Sequence, residues 1–215
     1  NRGAGDMARR AIGQIGQVFT YAMRLGIVTY NPTYKLSQAL TPRQQKNFAR
    51  ITINQLPQLL SDIDSYKGDP LTKLGFYLLA YTFVRTNELR FMQWNEVDWQ
   101  GKLWRIPAER MKKRRTHLVP LSDQVIAMLT ELKAITGYDE MLFPSRSNGK
   151  DRHARFRQAL KRKGYDGKQT LHGYRHIAST KFNNFTDDDG KKFDERVIEF
   201  ALSHKVAGVK GVYNK

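Results

Sequence analysis

The sequence of 215 residues contains no cysteine. This absence excludes disulfide bonds, thiol catalysis and cysteine-based zinc sites. Long apolar runs are missing too, since no stretch reaches the roughly 18 apolar residues that a membrane-spanning helix needs. The first residues, NRGAGDMARR, contain neither the apolar core of a signal peptide nor an initiator methionine. We therefore expect no membrane association, and we expect the sequence to be a fragment or a processed form.

Acidic residues are few. Asp and Glu number 20 against 37 Lys and Arg, which gives a net charge of +17 and a pI near 10.1. Such an excess raises the rate of association with polyanions, of which nucleic acid is the commonest. A ribosome-like or merely soluble basic protein would carry the same charge, so charge alone does not decide the function. The length and the 40% hydrophobic content predict one globular domain, or one domain plus a fragment.

The first 50 residues divide into a helix and a linker. Apolar residues recur at helical spacing after Asp6, which can cap the helix, and Gly26 ends it. One helix cannot bury its own apolar stripe, so this helix needs a packing partner. Residues 33–50 are polar, basic and weakly periodic, which predicts a linker, and a new organised region begins at Ile51.

Residues 51–215 are mostly helical in pattern. The segments KLWRIPA and THLVPLS alternate in polarity and predict a β-hairpin whose connection is ERMKKRR. Helical patterns occupy the other segments: QLPQLLSDIDSYK, PLTKLGFYLLAYTFV, the stretch that starts at Thr86, SDQVIAMLTELKAI with Ser122 as its N-cap, DRHARFRQALKRKGY, HGYRHIASTKFNNF and DERVIEFALSH. The predicted fold class is mainly α with a small antiparallel β-sheet, an α+β arrangement.

The segment VRTNELR places Arg85 and Arg90 around Glu88, at the end of an apolar helix. Arg85 directly follows Phe83 and Val84, so we expect its backbone to be buried. A buried arginine needs an anionic partner. That partner is either Glu88 or a phosphate, and on this segment alone the structural ion pair with Glu88 is favoured.

A run of cations occupies the predicted hairpin tip, where five lie within the six positions from Arg110 to Arg115. Such a cluster can follow phosphates or enter a groove of DNA. A solvated turn would have the same composition.

Two histidines and an arginine are closely spaced in LHGYRHIAST. His172 and Arg175 are three residues apart, so on a helix they share a face, and an arginine with a histidine suits a phosphate. His172 and His176 have the spacing of a metal-binding pair, but Gly173 occupies the position where zinc proteases carry glutamate. We therefore expect no metal.

His204 precedes Tyr213 by nine residues at the end of the chain. A tyrosine hydroxyl is a poor nucleophile at neutral pH because its pKa is about 10. It becomes useful where cations stabilise the negative charge that develops in the transition state. A metal-free site of arginines, a lysine and histidines would meet that requirement.

Taken in order, these motifs resemble the catalytic domain of the tyrosine recombinases, the phage integrase family. TFVRTNELRFMQWNEVD resembles the first arginine box, with Arg85 and Glu88 at the matching positions. IPAERMKKRRTHLVPLS resembles the hairpin that carries the catalytic lysine, which we assign to Lys112, with Lys113 as the competing assignment.

The second half of the resemblance lies near the end of the chain. LHGYRHIAST is similar to the second box, with His172 and Arg175, and ALSHKVAGVKGVYNK is similar to the last box, with His204 and Tyr213. Residues 51–215 would form the catalytic domain. Residues 1–32 would be the last helix of a truncated core-binding domain, with 33–50 as the linker.

The resemblance implies site-specific DNA strand exchange. Tyr213 would attack the scissile phosphate and form a 3′-phosphotyrosyl intermediate, while Arg85 and Arg175 bind its non-bridging oxygens. Lys112 would act as the general acid. The family needs no cofactor and no metal. The implied partner is a double-stranded DNA attachment site, bound by a homotetramer; whether the fragment alone is a monomer stays open. An excisionase and a host DNA-bending protein are the implied accessory partners, and the implied location is the bacterial cytoplasm, at the nucleoid.

The supporting roles follow from the same resemblance. His172 would assist proton transfer, His204 would donate a hydrogen bond to a phosphate oxygen, and Glu88 would orient the basic residues. Further cations are expected to contact DNA: Arg110, Lys113, Arg114, Arg115, Arg152, Arg155, Arg157, Lys161, Arg162 and Lys163. Two alternatives stay open, a type IB topoisomerase that relaxes DNA and a DNA-binding protein without catalysis.

Overall fold

The structure is a computed structural model that describes residues 5–40, 49–111, 114–145 and 151–203, excluding the side chains of residues 151–153. The chain forms two compact units, Asn1–Asn47 and Phe48–Lys215. Within the described ranges, no helix is both long and apolar enough to span a membrane.

The first unit is built on helix α1, Gly5–Arg24. The predicted stop at Gly26 is confirmed: its φ is +71°, its N–H donates to Met23, and the N–H of Ile27 donates to Ala22. These two bonds form a Schellman motif, which favours glycine at the left-handed position. None of the described side chains of α1 is fully buried, so its apolar stripe is only partly covered within this unit.

The segment after α1 folds back on it. A short 3-10 helix, Leu36–Ala39, contacts α1. Arg9 donates to the carbonyls of Ser37 and Leu40, at 3.3 and 3.2 Å, and Asn31 donates to Gly16 at 3.0 Å. The first part of the predicted linker therefore packs on the helix. The domain assignment of residues 1–32 and 33–50 stays a prediction.

The second unit contains seven α-helices in its described ranges. They are α2 Leu56–Asp64, α3 Pro70–Thr82, α4 Thr86–Arg90, α5 Asp123–Thr136, α6 Asp151–Arg162, α7 Gly173–Asn183 and α8 Glu195–Ala201. Side-chain caps begin three of them, from Asp69, Ser122 and Asp194. The predicted helices and the N-cap at Ser122 are thereby confirmed. Each such cap is worth about 1 kcal/mol because it satisfies a backbone N–H that the helix leaves unpaired.

Helix α3 is the centre of this unit, because α2, α4, α5, α6 and α7 all contact it. Its buried side chains include Phe76 and Leu79, as its apolar composition predicts. Phe156 of α6 packs edge-on against Phe76 at 5.4 Å and occupies the space beside Gly75, where an added Cβ would lie 2.5 Å from the ring. Glycine is therefore required there for close packing of α3 and α6.

The small sheet has three antiparallel strands, β1 Val97–Asp98, β2 Leu103–Ile106 and β3 His117–Pro120, in that order. The predicted hairpin is confirmed, and its register pairs Ile106 with His117. Trp104 and Ile106 point into the core, and Arg105 between them is exposed, which is the alternation of a half-buried sheet. Strand β1 has too few residues to show a pattern in the sequence.

Candidate functional site

Arg85 sits at the N-cap position of α4, where its φ and ψ of −72° and 147° are extended. Its backbone N–H donates to Glu88 Oε2 and its Nη1 donates to Glu88 Oε1, both at 2.7 Å. The predicted ion pair with Glu88 is confirmed. Because Glu88 takes only one side of the guanidinium, Nη2 is left with a long contact of 3.5 Å to the carbonyl of Ser203. A quarter of the Arg85 side chain remains exposed.

Glu88 itself is 3% exposed. A carboxylate at this depth requires strong donors, and it obtains two from a single residue. Its role in the structure is to fix the rotamer of Arg85 from the first turn of α4. This geometry agrees with the orienting role expected of Glu88, a role that stays a prediction.

Phe83 links α3 to this site through its backbone. Its φ of +54° is left-handed, which costs a residue other than glycine about 1–2 kcal/mol. The conformation ends α3 and lets the carbonyl of Phe83 accept a hydrogen bond from Arg175 Nη1 at 2.9 Å. The Phe83 ring packs edge-on against Phe182 of α7 at 5.1 Å, which offsets part of the strain.

Arg175 lies in the first turns of α7 and is 5% exposed. Burial and the nearby positive charge of Arg85 lower its pKa to about 10, against the opposite influence of Glu88 and Glu199. Arg175 is therefore still charged at neutral pH. Among the described residues, its buried Nη2 has no hydrogen-bond partner.

His172 occupies the N-cap position of α7 and is exposed, whereas Arg175 is buried. The two residues lie one turn apart, but His172 stands at the helix end rather than within it. Beside it, the side-chain amide of Gln169 lies where a Cβ on Gly173 would be, at 2.7 to 2.9 Å. A side chain at residue 173 would therefore have to displace the buried Gln169 amide. Among the described residues, no group of three or more His, Asp or Glu could hold a metal ion.

His117, at the start of β3, belongs to the same neighbourhood although the sequence did not single it out. It is 5% exposed and its ring packs against Phe200 of α8 at 5.9 Å. Burial lowers its pKa, the charges of Arg175 and Arg85 add to that effect, and Glu88 opposes it. A histidine at a strand end gives no sequence signal that separates it from an ordinary core residue.

The cations expected to contact DNA divide into two sets. Arg110 and Arg155 bind within the protein: Arg110 pairs with Glu96, and Arg155 pairs with Asp69 at 3.4 Å and donates to the carbonyl of Pro144. The other set consists of the exposed cations Arg114, Arg115, Arg157, Lys161 and Arg162. The half-buried Lys163 belongs to it as well, and its Nζ donates to Ser65 at 2.7 Å. Because Arg110 and Arg155 are each paired with an acid of the protein and donate to a backbone carbonyl, we leave these two out of the proposed DNA-contacting set.

Several sequence-predicted residues lie outside the described ones. They are Lys112, Lys113, His204 and Tyr213, together with the side chain of Arg152 on α6. The described part of the site is therefore the group of Arg85, Glu88 and Arg175, with the buried His117, on which their charges act, and His172 at the start of α7. The guanidiniums of Arg85 and Arg175 are near enough for their charges to interact, and Nη2 of Arg175 is buried and unpaired among the described residues. Such a pair of cations forms a site suited to an anion.

Comparison with known proteins agrees on one family. The sequence pattern of the phage integrase family matches residues 49–214. The integrase of Shigella phage Sf6 is 36% identical over 218 residues, which cover 100% of this chain and 55% of that protein. Prophage integrase IntS of Escherichia coli strain K12 is 35% identical, with the same shares. The chain thus spans about half the length of these relatives.

Solved structures share the fold. The lambda integrase dimer bound to a COC′ core site superposes with a TM-score of 0.69 at 18% identity, covering 99% of this chain and 60% of that one. The Tn1549 transposon integrase in complex with circular intermediate DNA gives 0.72 at 14% identity, covering 96% and 73%. Both confirm the predicted fold, that of a tyrosine recombinase catalytic domain. Because the family pattern covers more than half of the sequence, the chain belongs to the phage integrase family.

Proposed function

We propose that this chain carries the catalytic region of a site-specific DNA recombinase that cuts and rejoins DNA through a covalent 3′-phosphotyrosyl intermediate. The observation that carries the proposal is the pair of Arg85 and Arg175. Burial, together with the nearby charge of Arg85, lowers the pKa of Arg175, and the buried Nη2 of Arg175 has no partner among the described residues. Such an arrangement costs free energy unless an anion binds there.

A scissile phosphate is the anion that suits this site. The guanidiniums of Arg85 and Arg175 would each bind a non-bridging oxygen, whose negative charge rises as the phosphorus becomes five-coordinate. Glu88 accepts one hydrogen bond from the Arg85 guanidinium and one from the Arg85 backbone N–H, which fixes the side chain and so reduces the entropy lost on binding.

The chemical step uses residues assigned from the family motifs. The hydroxyl oxygen of Tyr213 forms the bond to phosphorus while the bond from phosphorus to the 5′ oxygen breaks. Lys112 gives a proton to the departing 5′ oxygen. His172 assists removal of the proton from the tyrosine, and His204 donates a hydrogen bond to a phosphate oxygen. The reverse reaction with another strand's 5′-hydroxyl rejoins the DNA, so the phosphodiester energy is retained.

The proposed partner is a double-stranded attachment site, contacted by the exposed cations of α6 and of the β2–β3 loop. A related solved structure is a lambda integrase tetramer bound to a Holliday junction, which supports a homotetramer on DNA. Integration or excision of a prophage is the corresponding biological role, with an excisionase and a DNA-bending protein as accessory partners. Salt should weaken binding steeply, because each phosphate contact releases counterions.

Covalent trapping tests the proposal. The full-length protein is incubated with nicked suicide duplexes that carry its attachment site, selected from a randomised pool by covalent capture. We expect an adduct that survives denaturing electrophoresis and is absent for Tyr213→Phe. If the wild type forms no adduct, the alternative of a DNA-binding protein without catalysis is favoured. Relaxation of a supercoiled plasmid by monomers, without recombinants between paired sites, would instead indicate a topoisomerase.

A further inference from the structure

Glu96 is a buried acid that lies outside the proposed catalytic set. It is 7% exposed and follows Gln93 in a 3-10 turn before β1. Its Oε2 accepts hydrogen bonds from Trp104 Nε1 at 2.9 Å and from the backbone N–H of Gln93 at 3.3 Å. Its Oε1 accepts from Arg110 Nη1, with which it forms an ion pair. Both oxygens are thus fixed by donors from three segments of the fold.

Arg110 uses its second terminal nitrogen for the backbone of α4. Arg110 Nη2 donates to the carbonyl of Glu88, and only one-fifth of the Arg110 side chain is exposed. This carbonyl belongs to the last turn of α4, where carbonyls lack partners within the helix. Arginine can bridge a carboxylate and a carbonyl at once because its donors form a rigid fork. Lysine has a single nitrogen and a different geometry.

The backbone around Arg110 is the root of the loop between β2 and β3. The N–H groups of Arg110 and Met111 donate to Pro107 and Ala108, both at 3.1 Å, and Met111 is 4% exposed. On the other side, the N–H of Arg114 donates to the carbonyl of Met111 at 2.9 Å. Met111, which directly precedes the proposed general acid Lys112 in the sequence, is therefore buried and fixed by backbone hydrogen bonds.

We propose that Glu96 and Arg110 act as a positioning pair for strand cleavage. The pair joins the first residues of the β2–β3 loop to α4, the helix that presents Arg85 and Glu88. The pair sets the distance between the proton donor on the loop and the arginines that bind the phosphate. This inference rests on the proposed function, because it assigns a role within the same reaction. Neither residue touches the DNA in this role.

Replacing the leaving 5′ oxygen with sulfur gives a specific test. A thiolate departs without a proton because the pKa of a thiol is far below that of an alcohol, so a misplaced general acid no longer limits cleavage. For Arg110→Met, we expect cleavage of the oxygen substrate at saturating protein to fall about 10- to 100-fold, as a displacement near 1 Å does. The sulfur substrate should lose less than about threefold. Arg105→Met is the matched control, since Arg105 is an exposed arginine of β2 paired with Asp98 at 3.4 Å; it should cleave both substrates like the wild type.

An equal loss on both substrates, or no loss on either, would overturn the inference while leaving the proposed function intact. Absence of any wild-type adduct would instead remove the proposed function itself. If Arg110→Met does not fold, Arg110→Lys is judged by the same ratio of the two rates, because lysine keeps the charge and cannot form both contacts.

A double-mutant cycle tests whether Glu96 and Arg110 act together. Glu96→Gln keeps an acceptor for Trp104 but leaves the Arg110 cation without its carboxylate. The double variant Glu96→Gln with Arg110→Met should reduce the cleavage rate of the oxygen substrate no more than the worse single variant does, since both substitutions remove the same Glu96–Arg110 interaction. Losses that multiply would show that the two residues act independently and would contradict the pair.

Discussion

Arg157 and Arg175 carry the same side chain on two helices, α6 and α7, that both pack on α3. Arg157 is exposed, whereas Arg175 is buried and has an Nη2 without a partner among the described residues. Burial of a guanidinium costs free energy unless a partner compensates for it. A buried arginine therefore indicates a functional role, whereas an exposed arginine does not. Under the proposed function, the contrast separates the many cations that would attract DNA from the few that would act on its phosphates.

Removal of Arg175 should give the largest effect. Arg175→Ala takes away the guanidinium that we propose stabilises charge in the transition state, so we expect the single-turnover cleavage rate at saturating protein to fall about 1,000-fold. Denaturant unfolding checks that the variant is folded. A rate within tenfold of the wild type would remove Arg175 from the proposed catalytic set. Arg175 would then be, like Arg157, an arginine without a role in the chemical step.

Glu88→Gln should have an intermediate effect. The amide cannot accept both donors of Arg85 as well as the carboxylate does, and it leaves a cation without its charged partner. We expect a loss of about 1–3 kcal/mol in the free energy of unfolding and a fall of about 10- to 100-fold in cleavage. Asp98→Asn is the control, because Asp98 forms a surface pair with Arg105 that contributes little. Full stability and activity in Glu88→Gln would mean that Arg85 needs no orienting partner.

Arg157→Ala should act on affinity rather than on chemistry. Loss of one phosphate contact is expected to weaken DNA binding only a few-fold at moderate salt, and to reduce the slope of log K against log salt by about one. Binding measured at several salt concentrations checks both values. An unchanged slope would show that Arg157 contacts no phosphate, and a collapse of the saturated cleavage rate would break the contrast with Arg175.

His117 should give the smallest effect, visible only through pH. Its pKa in the folded protein is lowered from 6.5 by burial and by the two arginines. The unfolded state therefore binds more protons, so the stability due to neutral His117 is present above pH 6.5 and is lost as the pH falls through the folded pKa. We expect His117→Gln to flatten the fall in unfolding free energy between pH 7 and 5, a range around the usual histidine pKa of about 6.5. Parallel pH profiles of the two proteins would contradict this.

Much of the fold was predictable because its signals are local. Ser122 followed by an apolar period predicted α5, and the alternation in KLWRIPA and THLVPLS predicted β2 and β3. Helix α3 ends two residues before the predicted segment does, because Phe83 adopts a left-handed conformation that a bulky residue seldom takes. No sequence pattern announces that conformation.

The site was predictable where residue types carry the chemistry. Arg85, Glu88 and Arg175 were chosen from the sequence, and the fold brings them together. The carbonyl of Phe83, which accepts from Arg175, could not be predicted because any residue offers a carbonyl. Arg110 was grouped with its neighbours because five cations within six positions look alike, and its contacts to Glu96 and to the carbonyl of Glu88 distinguish it.

Cleavage of a methylphosphonate substrate tests most directly whether Arg175 acts on phosphate charge. One non-bridging oxygen of the scissile phosphate is replaced by a methyl group, which removes the negative charge that the arginines would neutralise. Wild type and Arg175→Ala are compared on both substrates at saturating protein. We predict that the ratio of their rates shrinks from about 1,000 on the phosphate to less than about ten on the methylphosphonate. An undiminished ratio would show that Arg175 serves the fold rather than the phosphate.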